Sequence, residues 1–195
     1  MELSLNGRVA VVTGSSRGIG LAIVRALVAE GAHVVAGALH SSPELDALAA
    51  TESVDVVRTD LSTPEGPAEL VRTAGAQIDI LVNNVGAVGA RLDGFLNVTD
   101  EQWLASLNLN LMAAVRASRA VLPAMLAAGK GAIVTVSSVN AYLPDPPVID
   151  YSAAKAALAN FCKALSREYG GRGIRVNTVS PGRSPPTCGW ASTAW

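Results

Sequence analysis

Short runs rich in β-branched residues alternate along this chain with longer runs rich in Ala and Leu, and this alternation limits the possible folds more than any other feature. Six short runs are predicted as strands, at 9–13, 33–36, 54–58, 78–82, 132–136 and 174–179. Five longer runs are predicted as helices, at 19–30, 43–50, 64–74, 101–128 and 152–169. Apolar strands that alternate with helices predict an α/β fold, a doubly wound parallel sheet with right-handed crossovers.

The composition indicates one globular domain. Of 195 residues 50% are hydrophobic, which is enough for a sizeable core. Fifteen basic and 16 acidic side chains give a net charge of -1, and three Trp, three Tyr and two Phe offer little for stacking on bases, so no nucleic-acid partner is expected. Cys162 and Cys188 have no metal-ligand spacing and form no disulfide framework. We therefore expect no metal and a reducing, cytoplasmic location.

No membrane segment is predicted. Residues 1–8 are charged and lack the apolar stretch of a signal peptide. Longer apolar stretches are interrupted by Gly or charge, and none approaches the roughly 20 apolar residues of a spanning helix.

The sequence marks the starts of three predicted helices. Ser42 and Thr63 each precede a proline at the first helical position, and Thr99 with Gln102 forms a capping box.

A glycine-rich loop at 13–20 connects the first predicted strand to the first helix. Glycine allows a tight turn and close approach of the backbone to a pyrophosphate, while the N–H groups of the helix start bind the anion. Glycines also occur in plain turns, but this position between strand and helix indicates a dinucleotide-binding loop. The residues predicted to contact the cofactor are Gly14, Ser16, Arg17, Gly18, Ile19 and Gly20.

The end of the second strand indicates which dinucleotide binds. An acidic residue there would hold the ribose 2'-hydroxyl of NAD, but this chain has Ala38 and no carboxylate over 37–42. Arg17, His40 and the serines at 41 and 42 could donate to a 2'-phosphate, so NADP(H) is favoured over NAD(H). The alternative is that Arg17 lies along the surface and His40 belongs to an ordinary loop.

Polar residues follow three further strands, where ligands bind in open α/β sheets. Asp60, next to Leu61, could accept from an adenine amino group or could only cap the turn before Thr63. The segment 83–86, with Asn84 and Gly86, suits a backbone close to a cofactor, although a plain turn uses the same residues. Ser138 follows the fifth strand.

Tyr151, directly before the last predicted helix at 152–169, and Lys155 within it lie four residues apart, a spacing that places them on one helix face. A cation beside a phenol favours the phenolate, so we expect Lys155 to lower the pKa of Tyr151 and to let it exchange a proton near neutral pH. The alternative for such a pair, taken alone, is a solvated helix face.

Taken together, these motifs resemble the classical short-chain dehydrogenase/reductase family over essentially 9–182. The resemblance rests on the 13–20 loop, the 83–86 signature, Ser138 and the Tyr151/Lys155 pair, together with Asn110, Pro181 and Gly182. Val85 stands where the family usually has Ala. The resemblance implies a Rossmann sheet of order 3-2-1-4-5-6 with a seventh strand, and hydride transfer between a nicotinamide and a carbonyl or alcohol. Epimerases of the extended branch have a differently spaced glycine loop.

Residue roles follow from the resemblance. Tyr151 would be the general acid/base, Ser138 would donate to the substrate carbonyl, and Lys155 would hold the nicotinamide ribose. Asn110, seven residues after Trp103, would order a water that relays protons to Lys155, and Asn108 is the less suited asparagine. Pro181 and Gly182 would complete the cofactor site. A small-molecule substrate, such as a 3-oxoacyl thioester or small ketone, and a homo-oligomer (dimer or tetramer) are implied.

Residues 183–195 break the family pattern, because they read as an irregular loop where the family has a substrate lid, a helix and a seventh strand. Two hypotheses follow: a working NADP-dependent oxidoreductase with domain 1–182, which a partner chain could complete, or a truncated, catalytically inactive nucleotide-binding fragment. Turnover of ketones measured beside NADPH affinity separates the two.

We predict that the tail after Gly182 is out of frame. When 182–195 are written in legal codons, one C restored after the Gly182 codon gives Gly-Pro-Val-Pro-Thr-Asp-Leu, which resembles the family's continuation. The alternative is a naturally divergent short tail. The expected result is an unpaired sixth strand, weak stability and little activity. Sequencing the gene past its stop checks this, and the absence of a downstream frame for a lid and seventh strand would contradict it.

Overall fold

A computed structural model describes residues 4–182, which form a six-stranded parallel sheet with the order β3-β2-β1-β4-β5-β6. This confirms the predicted doubly wound Rossmann topology. The predicted absence of the family's lid and seventh strand and the predicted out-of-frame tail concern 183–195, which lie outside the described residues. The strands are β1 Val9–Thr13, β2 His33–Ala38, β3 Val54–Arg58, β4 Ile80–Asn83, β5 Gly131–Val136 and β6 Ile174–Val179.

Six α-helices connect the strands. They are α1 Gly18–Ala29, α2 Pro43–Thr51, α3 Glu65–Thr73, α4 Asp100–Leu107, α5 Ala113–Ala128 and α6 Ile149–Tyr169. The capping predictions are confirmed at two starts. The Ser42 hydroxyl accepts from the Leu45 N–H at the start of α2, and Thr99 and Gln102 form the capping box of α4. At α3 the Thr63 hydroxyl accepts from the Gly66 N–H, although the regular helix begins at Glu65.

The predicted single helix over 101–128 is instead two helices joined by a π-helical turn, Asn108–Met112. Hydrogen bonds in such a turn run to the fifth residue, so one extra residue is accommodated without ending the helix. Asn110 lies inside this turn and is buried. Sequence periodicity does not reveal the turn, because the apolar pattern on both sides of it is helical.

The continuous helical stretch Asp100–Ala128 is long and apolar enough to cross a membrane by length and composition, and among the described residues it is the one helix that meets this test. The stretch contains Arg116 and Arg119, so it does not contradict the expectation that no uninterrupted apolar run approaches about 20 residues. Its inner face lies in the protein core, where Ala117, Ser118, Val121 and Met125 are fully buried. A core helix meets the same length and composition test.

Two apolar clusters lie on opposite faces of the sheet. On one face, Val11, Val35 and Ile133 pack with residues of α3, α5 and α6. On the other face, Val12 and Val34 pack with residues of α1 and α2. Because side chains alternate along each strand, neighbouring residues of β1 belong to different clusters. Burial on both faces fixes the strand register and aligns all six carboxyl ends along one edge of the sheet.

Candidate active site

The glycine loop between β1 and α1 fits the anion-binding role that the sequence predicts. Gly14 and Gly18 have φ angles of 67° and 56°, a left-handed conformation that favours glycine. Helix α1 begins at Gly18 without a side-chain cap and has no acidic residue in its first turn. Its first N–H groups are therefore suited to binding a phosphate, as the pyrophosphate of a dinucleotide requires.

Asn84 holds this loop from the neighbouring strand. Its side-chain Nδ2 donates to the carbonyl oxygens of Thr13 at 3.0 Å and Gly14 at 2.8 Å. The Thr13 hydroxyl accepts from the backbone N–H groups of Asn84 and Val85, at 2.9 and 3.1 Å. The Asn84 amide therefore shapes the cofactor loop itself. The prediction that Asn84 contacts the cofactor directly therefore concerns its backbone, because its side-chain amide is bonded to the loop.

Ser15, which the sequence reasoning did not select, ties the same loop to β2. Its hydroxyl and its backbone N–H both donate to the Gly37 carbonyl oxygen, at 3.0 and 3.1 Å. Ser15 is fully buried, whereas its neighbour Ser16 is half-buried. A serine inside a glycine loop gives no sequence signal that separates an internal anchor from a ligand contact.

Asp60 and Leu61 follow β3 with different roles. Asp60 Oδ1 accepts from the Ser62 hydroxyl at 2.7 Å and the Ser62 N–H at 2.9 Å, and these two bonds lower the pKa of Asp60. The turn role of Asp60 is thus present, and an adenine contact stays a prediction. The Leu61 side chain is buried in the core, so only its backbone can contact a cofactor.

Ser138, Tyr151 and Lys155 come together at the carboxyl ends of β5 and β6. Ser138 is the second residue after β5. Its hydroxyl donates to Asn140 Oδ1 at 3.3 Å and acts on the nearby Tyr151 phenol to lower its pKa. Lys155 Nζ lies 5.6 Å from the centre of the Tyr151 ring and donates to the Val136 carbonyl oxygen at 3.1 Å. Pro181 supports this edge, because its carbonyl oxygen accepts from the Val139 N–H at 3.0 Å. Gly182 follows at the exposed end of the described chain.

Burial dominates the protonation of this group. It raises the pKa of the Tyr151 phenol above its usual value, and the hydrogen bond with Ser138 acts in the opposite direction with a smaller effect. Burial also lowers the pKa of Lys155 to about 8. The prediction that Lys155 lowers the pKa of Tyr151 is therefore wrong for this arrangement, in which the ammonium lies over the ring and donates to a backbone carbonyl.

Asn110 reaches the same place from the π-helical turn. Its Oδ1 accepts from the Ala87 N–H at 3.1 Å, and its Nδ2 donates to the Ala87 carbonyl oxygen at 2.9 Å. A Cβ atom at Gly86 would lie 2.8 Å from Asn110 Oδ1 and 3.2 Å from Lys155 Nζ. Because Gly86 has no side chain, Asn110 Oδ1 and Lys155 Nζ both have space beside the segment 83–86, which is predicted to lie along the cofactor. The water relay through Asn110 stays a prediction.

The predicted 2'-phosphate region forms a pocket of about 290 Å³, lined by His40, Ser41, Ser42, Pro43, Asp46 and Arg58. Three of these residues, Pro43, Asp46 and Arg58, were not predicted from the sequence to belong to the site. Arg58 lies beside Ala38 because β2 and β3 pair in that register. Asp46 accepts from the Ser41 hydroxyl at 2.6 Å and lies 3.9 Å from the Arg58 guanidinium. The pocket therefore contains one carboxylate and a cation beside it.

A larger groove of about 540 Å³ lies between α6 and β6, where Asn160, Lys163 and Asn177 are among its lining residues. Ser138, Tyr151 and Lys155 do not line it. Strand ends, the glycine loop and the buried Tyr/Lys pair lie elsewhere, along the carboxyl edge of the sheet. The candidate active site therefore lies at that edge and not in the larger groove.

Comparison with known proteins agrees with this geometry. The sequence profile of the short chain dehydrogenase family matches residues 8–189. The 3-oxoacyl-(acyl-carrier-protein) reductase FabG of Salmonella typhimurium is 39% identical over 186 residues, which cover 92% of this chain and 75% of that protein. Human dehydrogenase/reductase SDR family member 4 is 38% identical over 185 residues, 91% of this chain and 66% of that protein.

Among solved structures, L-sorbose reductase from Gluconobacter frateurii, complexed with NADPH and L-sorbose, is 39% identical with a TM-score of 0.85, over 93% of this chain and 72% of that one. Fold and site together define a nicotinamide-dependent oxidoreductase with a Rossmann sheet. The chain belongs to the short-chain dehydrogenase/reductase family, whose members transfer a hydride to or from CH–OH and C=O groups.

Proposed function

We propose that this protein uses NADP(H) to interconvert a small-molecule carbonyl compound and its alcohol, with Tyr151 as the general acid/base. One observation carries the proposal: the buried Lys155 Nζ lies over the Tyr151 ring, 5.6 Å from its centre, at the carboxyl edge of the sheet, and the nearby Ser138 hydroxyl acts to lower the pKa of the same phenol. When bound, the nicotinamide supplies or accepts the hydride.

The protein side of the reaction follows from these groups. With its pKa raised by burial, the Tyr151 phenol is protonated at neutral pH, which suits donation of its proton to the developing alkoxide in reduction. The Ser138 hydroxyl donates a hydrogen bond to the same oxygen and stabilises its charge. Lys155, still mostly an ammonium at pH 7, holds the nicotinamide ribose hydroxyls.

The residues around the pocket at 40–46 support NADP(H) as the cofactor. Arg58, next to Ala38 in the sheet, and Arg17 at the start of α1 are suited to a 2'-phosphate. Asp46 opposes this charge, but it accepts from Ser41 and lies near Arg58. A similar enzyme, L-sorbose reductase, was solved with NADPH. An oligomer of the full-length form stays a prediction.

We predict that NADPH binds more tightly than NADH, and that Arg58→Ala reduces NADPH affinity about 10-fold, because it removes a charge-assisted hydrogen bond to phosphate. NADH affinity should stay within about two-fold.

Ala38→Asp should reverse the preference by repelling the phosphate. Fluorescence titration measures the affinity of each variant for both cofactors. Arg175→Ala, which removes an exposed arginine of β6, is the control. Equal affinities before mutation would contradict the NADP(H) assignment.

A second candidate, a protein that binds the nucleotide without turnover, is favoured by the exposure beside Ser138. Tyr142, Leu143 and Val179 are 65%, 71% and 54% exposed, so nothing within residues 4–182 shields this side of the site from water. A panel of ketones, from 3-oxoacyl thioesters to small sugars, tests both candidates. NADPH oxidation above the rate without enzyme supports the oxidoreductase. Tight NADPH binding with no oxidation on any substrate supports the second candidate.

A further inference from the structure

Arg91 and Asp150 form a buried ion pair next to the proposed acid/base. Arg91 Nη2 and Nε donate to Asp150 Oδ2 at 2.6 and 3.2 Å. Asp150 is 1% exposed, and the Arg91 side chain is 19% exposed. The other carboxylate oxygen, Oδ1, is buried and has no hydrogen-bond partner among the described residues. The buried charge of Asp150 therefore depends on Arg91 through one oxygen.

This pair anchors the first turn of α6, where Tyr151 is the third residue. The N-cap residue Val148 provides no side-chain hydrogen bond to this helix start. The first turn of a helix has unpaired N–H groups and frays unless other contacts hold it. Asp150 lies in that turn, where its negative charge also suits the helix dipole. Its contact with Arg91 supplies the anchor that a capping side chain provides elsewhere.

Arg91 also belongs to the segment that follows β4 along the cofactor side of the site. Four residues earlier, Ala87 is held by two hydrogen bonds with the Asn110 side chain. The Arg91 N–H donates to the Pro147 carbonyl oxygen at 2.6 Å, just before α6. A side chain at Gly89 would crowd the guanidinium, since a Cβ there would lie 3.1 Å from Nη1. The segment 87–91 therefore connects Asn110, which is bonded to Ala87, with Asp150, which is bonded to Arg91.

We propose that Arg91 and Asp150 are positioning residues, which hold the Tyr151 phenol in a fixed place relative to the cofactor-lining segment 84–87. This inference rests on the proposed role of Tyr151. It explains why a carboxylate is buried directly before a proton-transfer residue in a helix turn without a side-chain cap. A displacement of about 1 Å in such a group can reduce a rate by about 100-fold.

Asp150→Asn tests the pair, because it removes the charge with almost no change in shape. We expect the rate of ketone reduction to fall about 10- to 100-fold while NADPH affinity changes less than about three-fold. The matched control is Asp79→Asn, which breaks the Arg8–Asp79 ion pair next to β1 and β4 at the amino-terminal edge of the sheet. A rate for Asp150→Asn equal to that of the control would overturn the proposal.

A second readout does not require turnover. Tyrosine labelled with ¹³C at Cζ gives three resonances in this chain, and Tyr151→Phe assigns the one of interest. Asp150→Asn should shift or broaden the Tyr151 resonance, and Asp79→Asn should leave it unchanged. If the parent protein reduces no ketone, the proposed function is refuted. If the Tyr151 resonance is the same in Asp150→Asn as in the parent, the positioning role is refuted.

Arg91→Lys is a second variant that tests the same ion pair if Asp150→Asn does not fold. It keeps the positive charge but lacks the guanidinium fork, so it retains at most a single donor group near Oδ2. We expect its Tyr151 resonance and its rate to lie between those of the parent and Asp150→Asn. A fully folded Arg91→Lys protein that matches the parent in both measurements would overturn the proposal.

Discussion

Tyr151→Phe is expected to lower the rate of carbonyl reduction by about 100- to 10,000-fold in any form of this protein that turns over. The phenyl ring can occupy the same half-buried place on α6, but it has no proton to give to the developing alkoxide. Because the lost hydroxyl acts in the transition state, NADPH affinity should stay within about two-fold. Single-turnover oxidation of NADPH with a saturating ketone measures the rate, and fluorescence titration measures the affinity.

Tyr169→Phe is the matched control for this change. Tyr169 ends the same helix, and its phenol interacts with Glu168 and not with Ser138. The control should keep the parent rate. Lys155→Ala, in contrast, should reduce both the rate and the cofactor affinity, because Lys155 is proposed to bind the nicotinamide ribose and also lies beside Tyr151. If Tyr151→Phe kept most of the parent rate, the phenol would have a structural role only.

The parts of the site that the sequence predicts are those whose spacing is local. Tyr151 and Lys155 are one helical turn apart, and Ser138 is the second residue after a strand, so each position could be assigned from its neighbouring element. The glycine loop was recognisable for the same reason. The sheet order came from the family resemblance, and burial of the apolar strands on both faces agrees with it.

The parts that the sequence did not predict depend on distant contacts or on burial. Arg58 reaches the pocket through the register of β2 and β3, and Arg91 meets Asp150 across 59 positions. The π-helical turn that carries Asn110 lies within an uninterrupted helical pattern. The pKa of Tyr151 was expected to fall, but desolvation outweighs the opposing effect of the Ser138 hydroxyl. A residue spacing does not report how deeply a side chain is buried.

Gly20→Ala is expected to abolish most cofactor binding and to destabilise the fold, because a side chain at this position has no space. Its Cβ atom would overlap the Gly14 carbonyl oxygen and would lie 2.6 Å from Asn84 Nδ2. These are the atoms that join the glycine loop to the segment after β4, through the 2.8 Å hydrogen bond between Asn84 and Gly14. Either the loop or the start of α1 must move away from the phosphate position.

The size of the effect follows from the packing. Overpacking of this kind costs about 1–3 kcal/mol, which corresponds to a fall of roughly 2–12 °C in the melting temperature of a chain this long. NADPH affinity should fall more than about 10-fold, since one tenfold change corresponds to only about 1.4 kcal/mol of lost phosphate contact. Thermal unfolding with and without NADPH measures both effects, because a bound ligand raises the melting temperature.

Gly170→Ala is the matched control for the loss of a glycine. Gly170 has ordinary helical angles, φ -58° and ψ -43°, and a Cβ atom there would meet no atom within 4 Å among the described residues. At such a position the added methyl group leaves stability unchanged or raises it by about 0.4–1 kcal/mol, since it restricts the unfolded chain. If Gly20→Ala kept both the melting temperature and the NADPH-dependent stabilisation of the parent, the close packing of the glycine loop on Asn84 would not be required for cofactor binding.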